Sequence, residues 1–265
     1  GYASGPVLWT AARRKIPTLI QEQNSFAGIT NKLLAKRVNK ICVAYEGMNK
    51  YFPDDKINFT GNPVRDVIRD LKSVNREEGL KHFGLSGNDP VLLVLGGSLG
   101  ARTINKGVLK GIGQIRDRQI QLLWQCGDYY YQDMLKVLEG PGISKIALHP
   151  FIARMDLAYT VADVIIARAG AITISELCFA GKPAILVPSP NVAGDHQTKN
   201  AMALVKKTAA IHIGDAGAED VMITTAVELL DDKERMKMLS ENILDLAVPD
   251  SAQKICEEIR SLMYQ

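Results

Sequence analysis

From residue 90 onward, short apolar runs alternate with segments in which apolar positions recur every three or four residues. The runs at 91–95, 120–125, 145–149, 163–167, 183–187 and 210–213 are almost continuously apolar, as strands buried on both faces must be. The segments at 101–111, 129–138, 172–180, 196–206 and 218–230 carry helical spacing, and Gly181 is placed to end its helix. Strand and helix in strict alternation predict an α/β unit with a parallel sheet. Residues 1–60 read as the remainder of a similar unit, with strands at 17–21 and 40–44 and helices near 7–15, 28–36 and 45–52. No period of 20–50 residues repeats, which excludes a solenoid.

Gly61-Asn62-Pro63-Val64-Arg65 is turn chemistry between the two patterns and marks the boundary of domains at 1–64 and 65–248. Residues 249–265 form a last helix after Pro249, free to pack on either domain and with the first as the suggested partner. The charge distribution supports the division. Residues 1–65 hold ten Lys/Arg against four Asp/Glu, whereas the remainder is slightly acidic.

With 46% apolar and 23% charged residues, the 265-residue chain is neither disordered nor low in complexity. The longest apolar stretch is broken by Ser175, Glu176 and Lys182, so a membrane span and a signal peptide are not expected, and a soluble cytoplasmic protein is. Cys42, Cys126, Cys178 and Cys256 are far apart in apolar surroundings and read as reduced core thiols. Four scattered histidines, with no CxxC, HxH or HExxH, offer no metal cage. The opening at Gly1, inside what reads as a glycine loop, suggests a fragment or trimmed chain.

Candidate chemistry gathers where strands run into helices. The 91–95 strand leads into Gly96-Gly97-Ser98-Leu99-Gly100-Ala101-Arg102, where backbone amides and a positive helix end would converge on a phosphate. The loop is neither a Walker motif nor GxGxxG, and a ligand-free tight turn explains it equally well. A second junction, Arg168 to Glu176, offers the amides of Ala171, Ile172 and Thr173 and a carboxylate one turn inside. Glu176 either accepts two ribose hydroxyls or simply stabilises the helix start. Two such junctions at the carboxyl ends of one sheet together describe a seat for a sugar-bearing diphosphate. Asp195-His196-Gln197-Thr198-Lys199-Asn200 suits hydroxyl recognition or an Asp-capped, solvated first turn. No DxD is present, so the charge of a leaving diphosphate falls to amides, helix ends and Arg.

In the first domain Gln21-Glu22-Gln23-Asn24-Ser25 is read as following a strand and opening a helix, with Asn24 as a cleft residue or an N-cap. Arg13, Arg14, Lys15, Lys32, Lys36, Arg37 and Lys40 form a basic stripe near Leu8, Trp9 and Phe26. An anionic membrane surface would attract it, and a solvated helix face would look the same.

Taken in order, Gly1 to Pro6, Gln21 to Asn24, Gly61 to Arg65, Gly96 to Arg102, Arg168 to Glu176 and Asp195 to Ala201 resemble the motifs of the MurG family of N-acetylglucosaminyltransferases over essentially the whole chain. The resemblance implies a two-domain GT-B glycosyltransferase fold, two Rossmann-like domains with the first incomplete. It implies UDP-GlcNAc as donor, lipid I (undecaprenyl-pyrophosphoryl-MurNAc-pentapeptide) as acceptor, and lipid II as product in peptidoglycan synthesis. Carried over by position, Arg65 and Ser98 would lie near the donor diphosphate, the Ile152 backbone would hold uracil, and Glu176 the ribose. Ala171, Ile172, Thr173, Ile174 and Ser175 would line the same site. His196, Gln197, Asn200 and Asn24 would face the GlcNAc, and Ser4, Gly5, Gln21 and Glu22 the acceptor. Gln21 stands where the family more often has His.

The resemblance also implies a glycine-rich loop with the catalytic histidine upstream of Gly1, so the catalytic residue is unknown within these residues. No cofactor and no metal are implied. The expected partners are the substrates, the anionic inner-membrane surface and other cell-wall synthesis proteins, with no nucleic acid. The expected location is the cytoplasmic face of the bacterial membrane, as a peripheral protein. Two rival readings remain: a UDP-GlcNAc 2-epimerase-like enzyme of the same fold, and a truncated, non-catalytic nucleotide-sugar-binding module.

Overall fold

The computed structural model describes residues 2–97, 99–138 and 145–264. The chain opens with α1 (Ser4–Arg13), β1 (Leu19–Glu22), α2 (Ile29–Leu34), β2 (Lys40–Val43) and β3 (Ile57–Phe59). The strands pair in parallel in the order β1-β2-β3. Ile20, Leu34, Val38, Ile41, Val43, Met48 and Phe52 form a small core on this sheet.

Three expectations for this region are corrected. The helix predicted at 45–52 shrinks to a single 3-10 turn, Met48–Lys50, because Gly47 turns left-handed (φ 69°) just before it. The first glycine motif is already helical from Ser4, and α1 packs on α2, with Gly5 facing Thr30. Asn24 caps no helix, since α2 begins at Ile29 behind Gly28.

Beyond the turn at Gly61 come α3 (Asp66–Arg69), α4 (Arg76–His82), β4 (Val91–Leu95), α5 (Arg102–Asp117), β5 (Gln121–Gln125), α6 (Asp128–Val137) and β6 (Ile146–His149). They are followed by α7 (Met155–Val161), β7 (Val164–Ala167), α8 (Ala171–Ala180), β8 (Ala184–Leu186), α9 (His196–Val205), β9 (Ile211–His212), α10 (Asp215–Asp231), α11 (Lys233–Leu244) and α12 (Ser251–Met263). The six strands pair in parallel in the order β6-β5-β4-β7-β8-β9. Alternate residues feed two cores. Leu93, Leu95, Ile165 and Ala167 meet α7 and α8 on one face, while Leu92, Val94, Val164 and Ile166 meet α5 and α10 on the other. Burying both faces is why these runs lack polar alternation.

The chain leaves β4 toward β5 and β6, then returns to build β7, β8 and β9 on the other side. The order therefore reverses between β4 and β7, and a doubly wound sheet opens its ligand crevice outside the carboxyl ends of such a pair.

Two chain segments cross between the units. Gly61 (φ 75°) passes so close to the returning chain that a Cβ there would lie 2.6 Å from Ser251 Oγ and 2.7 Å from Val248 Cβ. After that crossing α12 lies against the first unit, where the Lys40 ammonium pairs with Glu258 and donates to Ser261 Oγ. Three cysteines are buried as expected, but Cys256 is exposed, because the apolar spacing of α12 leaves one side of the helix in water.

Candidate functional site

The two glycine-bearing junctions lie at the point where the strand order reverses. After β4, Gly97 (φ 79°) and Gly100 (φ 78°) turn the chain into α5, and Gly96 N–H donates to Gln125 O at 3.0 Å. The neighbouring loop after β5 presses against this turn backbone to backbone. A Cβ on Gly127 would sit 2.3 Å from Gly100 N, so the two loops approach this closely only as glycines. Ser98, expected near the diphosphate, lies outside the described residues. Asn105 of α5 ties the turn to β5: its amide donates to Cys126 O at 2.9 Å and accepts from Trp124 Nε1 at 3.1 Å.

Beside it, β7 runs into α8. The N-cap is Gly170, with no side-chain cap, so the amides of Ala171, Ile172 and Thr173 form an uncapped positive helix end. Neither does a side chain cap α5 at Ala101. Both helix ends are thus suited to an anion.

One turn into α8, Glu176 is 7% exposed. Its Oε1 accepts from Arg65 Nε at 3.0 Å and lies 2.9 Å from Arg65 Nη2 in an ion pair, and its Oε2 accepts from Tyr159 Oη at 3.0 Å. Burial and the adjacent carboxylate hold the Tyr159 phenol well above its ordinary pKa, so it stays protonated and donates. Arg65 and Glu176, expected at different parts of one ligand, are brought together across 111 residues as an ion pair. Oε2 retains acceptor capacity beyond its single bond.

At the end of β5, Gln125 Oε1 accepts the Ile152 N–H at 2.9 Å, so the amide expected to meet uracil is held by a side chain of the same sheet. Cys126 N–H and Gly127 N–H donate to His149 O and Pro150 O and fix the same edge.

Some of the remaining polar residues form a clasp between the units. Asn200, fully buried, donates to Asn24 Oδ1 at 3.0 Å and accepts from Ser25 N at 2.9 Å and Ser25 Oγ at 3.1 Å. Asn62 donates to Gln23 O at 3.0 Å and Ser175 Oγ at 3.1 Å. Gln21 lies inside β1, with Nε2 3.4 Å from Gly61 O and Asn62 Oδ1. Glu22 is a buried organiser of the following loop: it accepts from Asn24 N, Gly28 N and Asn31 Nδ2. Gln197 Oε1 accepts from Ser189 N at 2.9 Å and pins the loop before α9. His196 is the first residue of α9, behind Asp195, whose left-handed backbone (φ 52°) carries no side-chain cap, so the expected Asp cap is not formed. Ser4 and Gly5 lie in the first turn of α1.

A cleft of about 830 Å³ lies between the units, reaching the predicted residues at Ile174 and Ser175. The sequence reading missed Tyr159, Asn62 and Gln125. Tyr159 lies on α7, a helix with no polar face to signal it.

Residues 91–255 match the glycosyltransferase family 28 C-terminal domain, and residues 1–43 match the N-terminal domain of the same family. A relative from Parabacteroides distasonis is 54% identical over 98% of this chain and 70% of its own length. One from Bacteroides fragilis is 51% identical over 100% of this chain and 70% of its own. Both are named UDP-N-acetylglucosamine–N-acetylmuramyl-(pentapeptide) pyrophosphoryl-undecaprenol N-acetylglucosamine transferase. The crystal structure of Acinetobacter baumannii MurG is similar at a TM-score of 0.77 and 28% identity, covering 98% of this chain and 71% of that one. A UDP-N-acetylglucosamine 2-epimerase from Listeria monocytogenes shares the fold at a TM-score of 0.72 and 13% identity, covering 98% of this chain and 72% of that one.

Proposed function

The chain belongs to glycosyltransferase family 28, and from that premise we propose that it transfers N-acetylglucosamine from UDP-GlcNAc to lipid I, forming lipid II in peptidoglycan synthesis. The observation that carries this reading is the match of relatives named for that transfer along essentially the whole chain at about half identity. The α/β GT-B architecture agrees with it.

In this reading the donor diphosphate sits across the paired turns. The uncapped start of α8 faces the charge that develops as UDP leaves, and Arg65 lies beside it, anchored by Glu176. A helix end contributes about 0.3–1 kcal/mol toward an anion in water and up to about 2 kcal/mol where partly buried. Such preorganised donors act most strongly where charge appears. Glu176 Oε2 takes a ribose hydroxyl alongside the Tyr159 bond.

The acceptor hydroxyl attacks the anomeric carbon opposite the diphosphate. The new C–O bond forms as the bond to UDP breaks, its electron pair leaves on the phosphate, and the linkage is β. Positioning of the two substrates supplies much of the rate. Asn24, Asn200 and Gln197 lie near the sugar, and the clasp of Asn24 and Ser25 with Asn200 must loosen as substrates enter. The crossings at Gly61 to Arg65 and 245–249 act as hinges. The hydroxyl proton passes to a base, and no residue described here is assigned that role.

We place the protein peripherally on an anionic membrane surface at the cytoplasmic face. On α2, Ile29 and Leu33 are 77% and 69% exposed, Val7 of α1 is exposed, and the exposed Arg13, Arg14 and Lys36 follow in sequence. Among the described residues no helix is long and apolar enough to cross a membrane. A short-chain lipid I analogue with labelled UDP-GlcNAc tests the reaction. Labelled lipid II is the expected product, whereas UDP-ManNAc from UDP-GlcNAc alone would overturn the reading in favour of epimerisation.

A further inference from the structure

The 830 Å³ cleft lies against the clasp of Asn24, Ser25 and Asn200 and shares with the expected donor lining only Ile174 and Ser175. Neither the turn after β4, nor Ala171 to Thr173, nor Arg65 or Glu176 lines it among the described residues. Aromatic and aliphatic side chains form part of its lining. Tyr45 and Phe59 of the first unit face Phe179 of α8 and Leu246 of the returning chain, and Phe59 is 46% exposed although it lies in a recess. The Tyr45 hydroxyl is sealed from solvent without a hydrogen-bond partner, an unmet polar group in the cleft's own lining.

Charge around the cleft is one-sided. Lys50, Lys199, Lys206, Lys207 and Lys254 line it, against Glu46 and Asp245. Lys207 is paired with Glu46 at 3.0 Å, and Lys199 donates to Gly194 O at 2.7 Å over the Phe26 ring. Lys206 and the half-buried Lys254 form no ion pair among the described residues. Apolar side chains and uncommitted cations in one lining, in a volume within the range of small-molecule pockets, describe a specific ligand chemistry.

We infer that this cleft binds an amphipathic anion, an aliphatic or aromatic body bearing a phosphate or carboxylate, with the body against Tyr45, Phe59 and Phe179 and the head at Lys206 and Lys254. Gly61, Asn62 and residues 245–249 also line the space, so an occupant touches both units and both crossings. It therefore favours one relative position of the units over others.

Dodecyl phosphate below its micelle concentration serves as probe, titrated calorimetrically into the protein with and without saturating UDP. The expected result is one saturable site, retained with UDP present, that octyl glucoside does not occupy. Lys206→Ala/Lys254→Ala weakens it about tenfold or more, as loss of charge-assisted bonds predicts. Ala203→Trp, which fills the cleft, removes it. The lysine variant alters the exposed Lys206 and the half-buried Lys254, neither in an ion pair among the described residues, and keeps the test valid should Ala203→Trp misfold. Displacement of the probe by UDP, equal binding of octyl glucoside, undiminished affinity in the lysine variant, or no saturable binding would each overturn the inference.

Discussion

Replacing Glu176 separates its structural duty from its proposed ligand duty. In Glu176→Ala the Tyr159 hydroxyl, 1% exposed as a residue, loses its acceptor at 3.0 Å and stays buried. An orphaned buried hydroxyl costs about 1–3 kcal/mol. The Arg65 side chain is 49% exposed, so its broken ion pair adds only about 0–1 kcal/mol after solvent screening. The melting temperature should then fall by about 2–4 °C for each kcal/mol lost. Glu176→Gln keeps a carbonyl for Tyr159 and should retain most of that stability. Ligand binding responds differently: if the carboxylate receives ribose hydroxyls, both variants lose a charge-assisted bond and their UDP affinity drops about tenfold to a hundredfold. Urea melts read the first effect and isothermal titration calorimetry with UDP the second. Unchanged UDP affinity in a folded Glu176→Gln protein would refute the ribose role, and equal destabilisation of the two variants would refute the role given to Tyr159.

Other sites test the scaffold. Asn105→Ala strands the Trp124 indole N–H and the Cys126 carbonyl together, and denaturation should show a loss of about 1–3 kcal/mol for each group. Gly127→Ala drives a methyl to 2.3 Å from Gly100 N at a φ of 89°, so it should cost more than about 2 kcal/mol and weaken UDP binding as the turn after β4 shifts, both visible in UDP-dependent melting. Burial, with a smaller push from His82, lowers the His149 pKa below 6.5. The unfolded chain therefore takes up this proton first as pH falls, and stability drops below about pH 6.5. Denaturation midpoints at pH 7.5 and 5.5 should differ less in His149→Gln than in the parent protein.

The larger sheet was legible because its central strands are buried on both faces. β4 and β5 are buried at every position; β4 is an unbroken apolar run, and β5 is an apolar Leu122-Leu123-Trp124 centre between two buried glutamines. The strand β3 escaped notice for the opposite reason: its three residues, on the edge of the small sheet, include an exposed Phe59 and carry no pattern. The helix α7 was missed since six of its seven residues are buried and no polar face marks its period. With α4 and α11 a signal was present and overlooked. Asn75 and Asp232 cap them, accepting from Glu77 N and Arg235 N.

Within the site, the amide-bearing turns could be read because glycine and strand-to-helix order are local properties. The pairing of Arg65 with Glu176, and of Asn24 with Asn200, 176 residues apart, could not. Those contacts depend on how two crossings set one unit against the other. Side chains read separately as ligand contacts are one another's partners.

A crystal structure with UDP-GlcNAc bound tests the donor seat most directly. Diphosphate density within hydrogen-bonding distance of the Ala171 to Thr173 amides, with the ribose at Glu176, is the predicted result. Nucleotide density elsewhere, with the start of α8 left facing solvent, would contradict it.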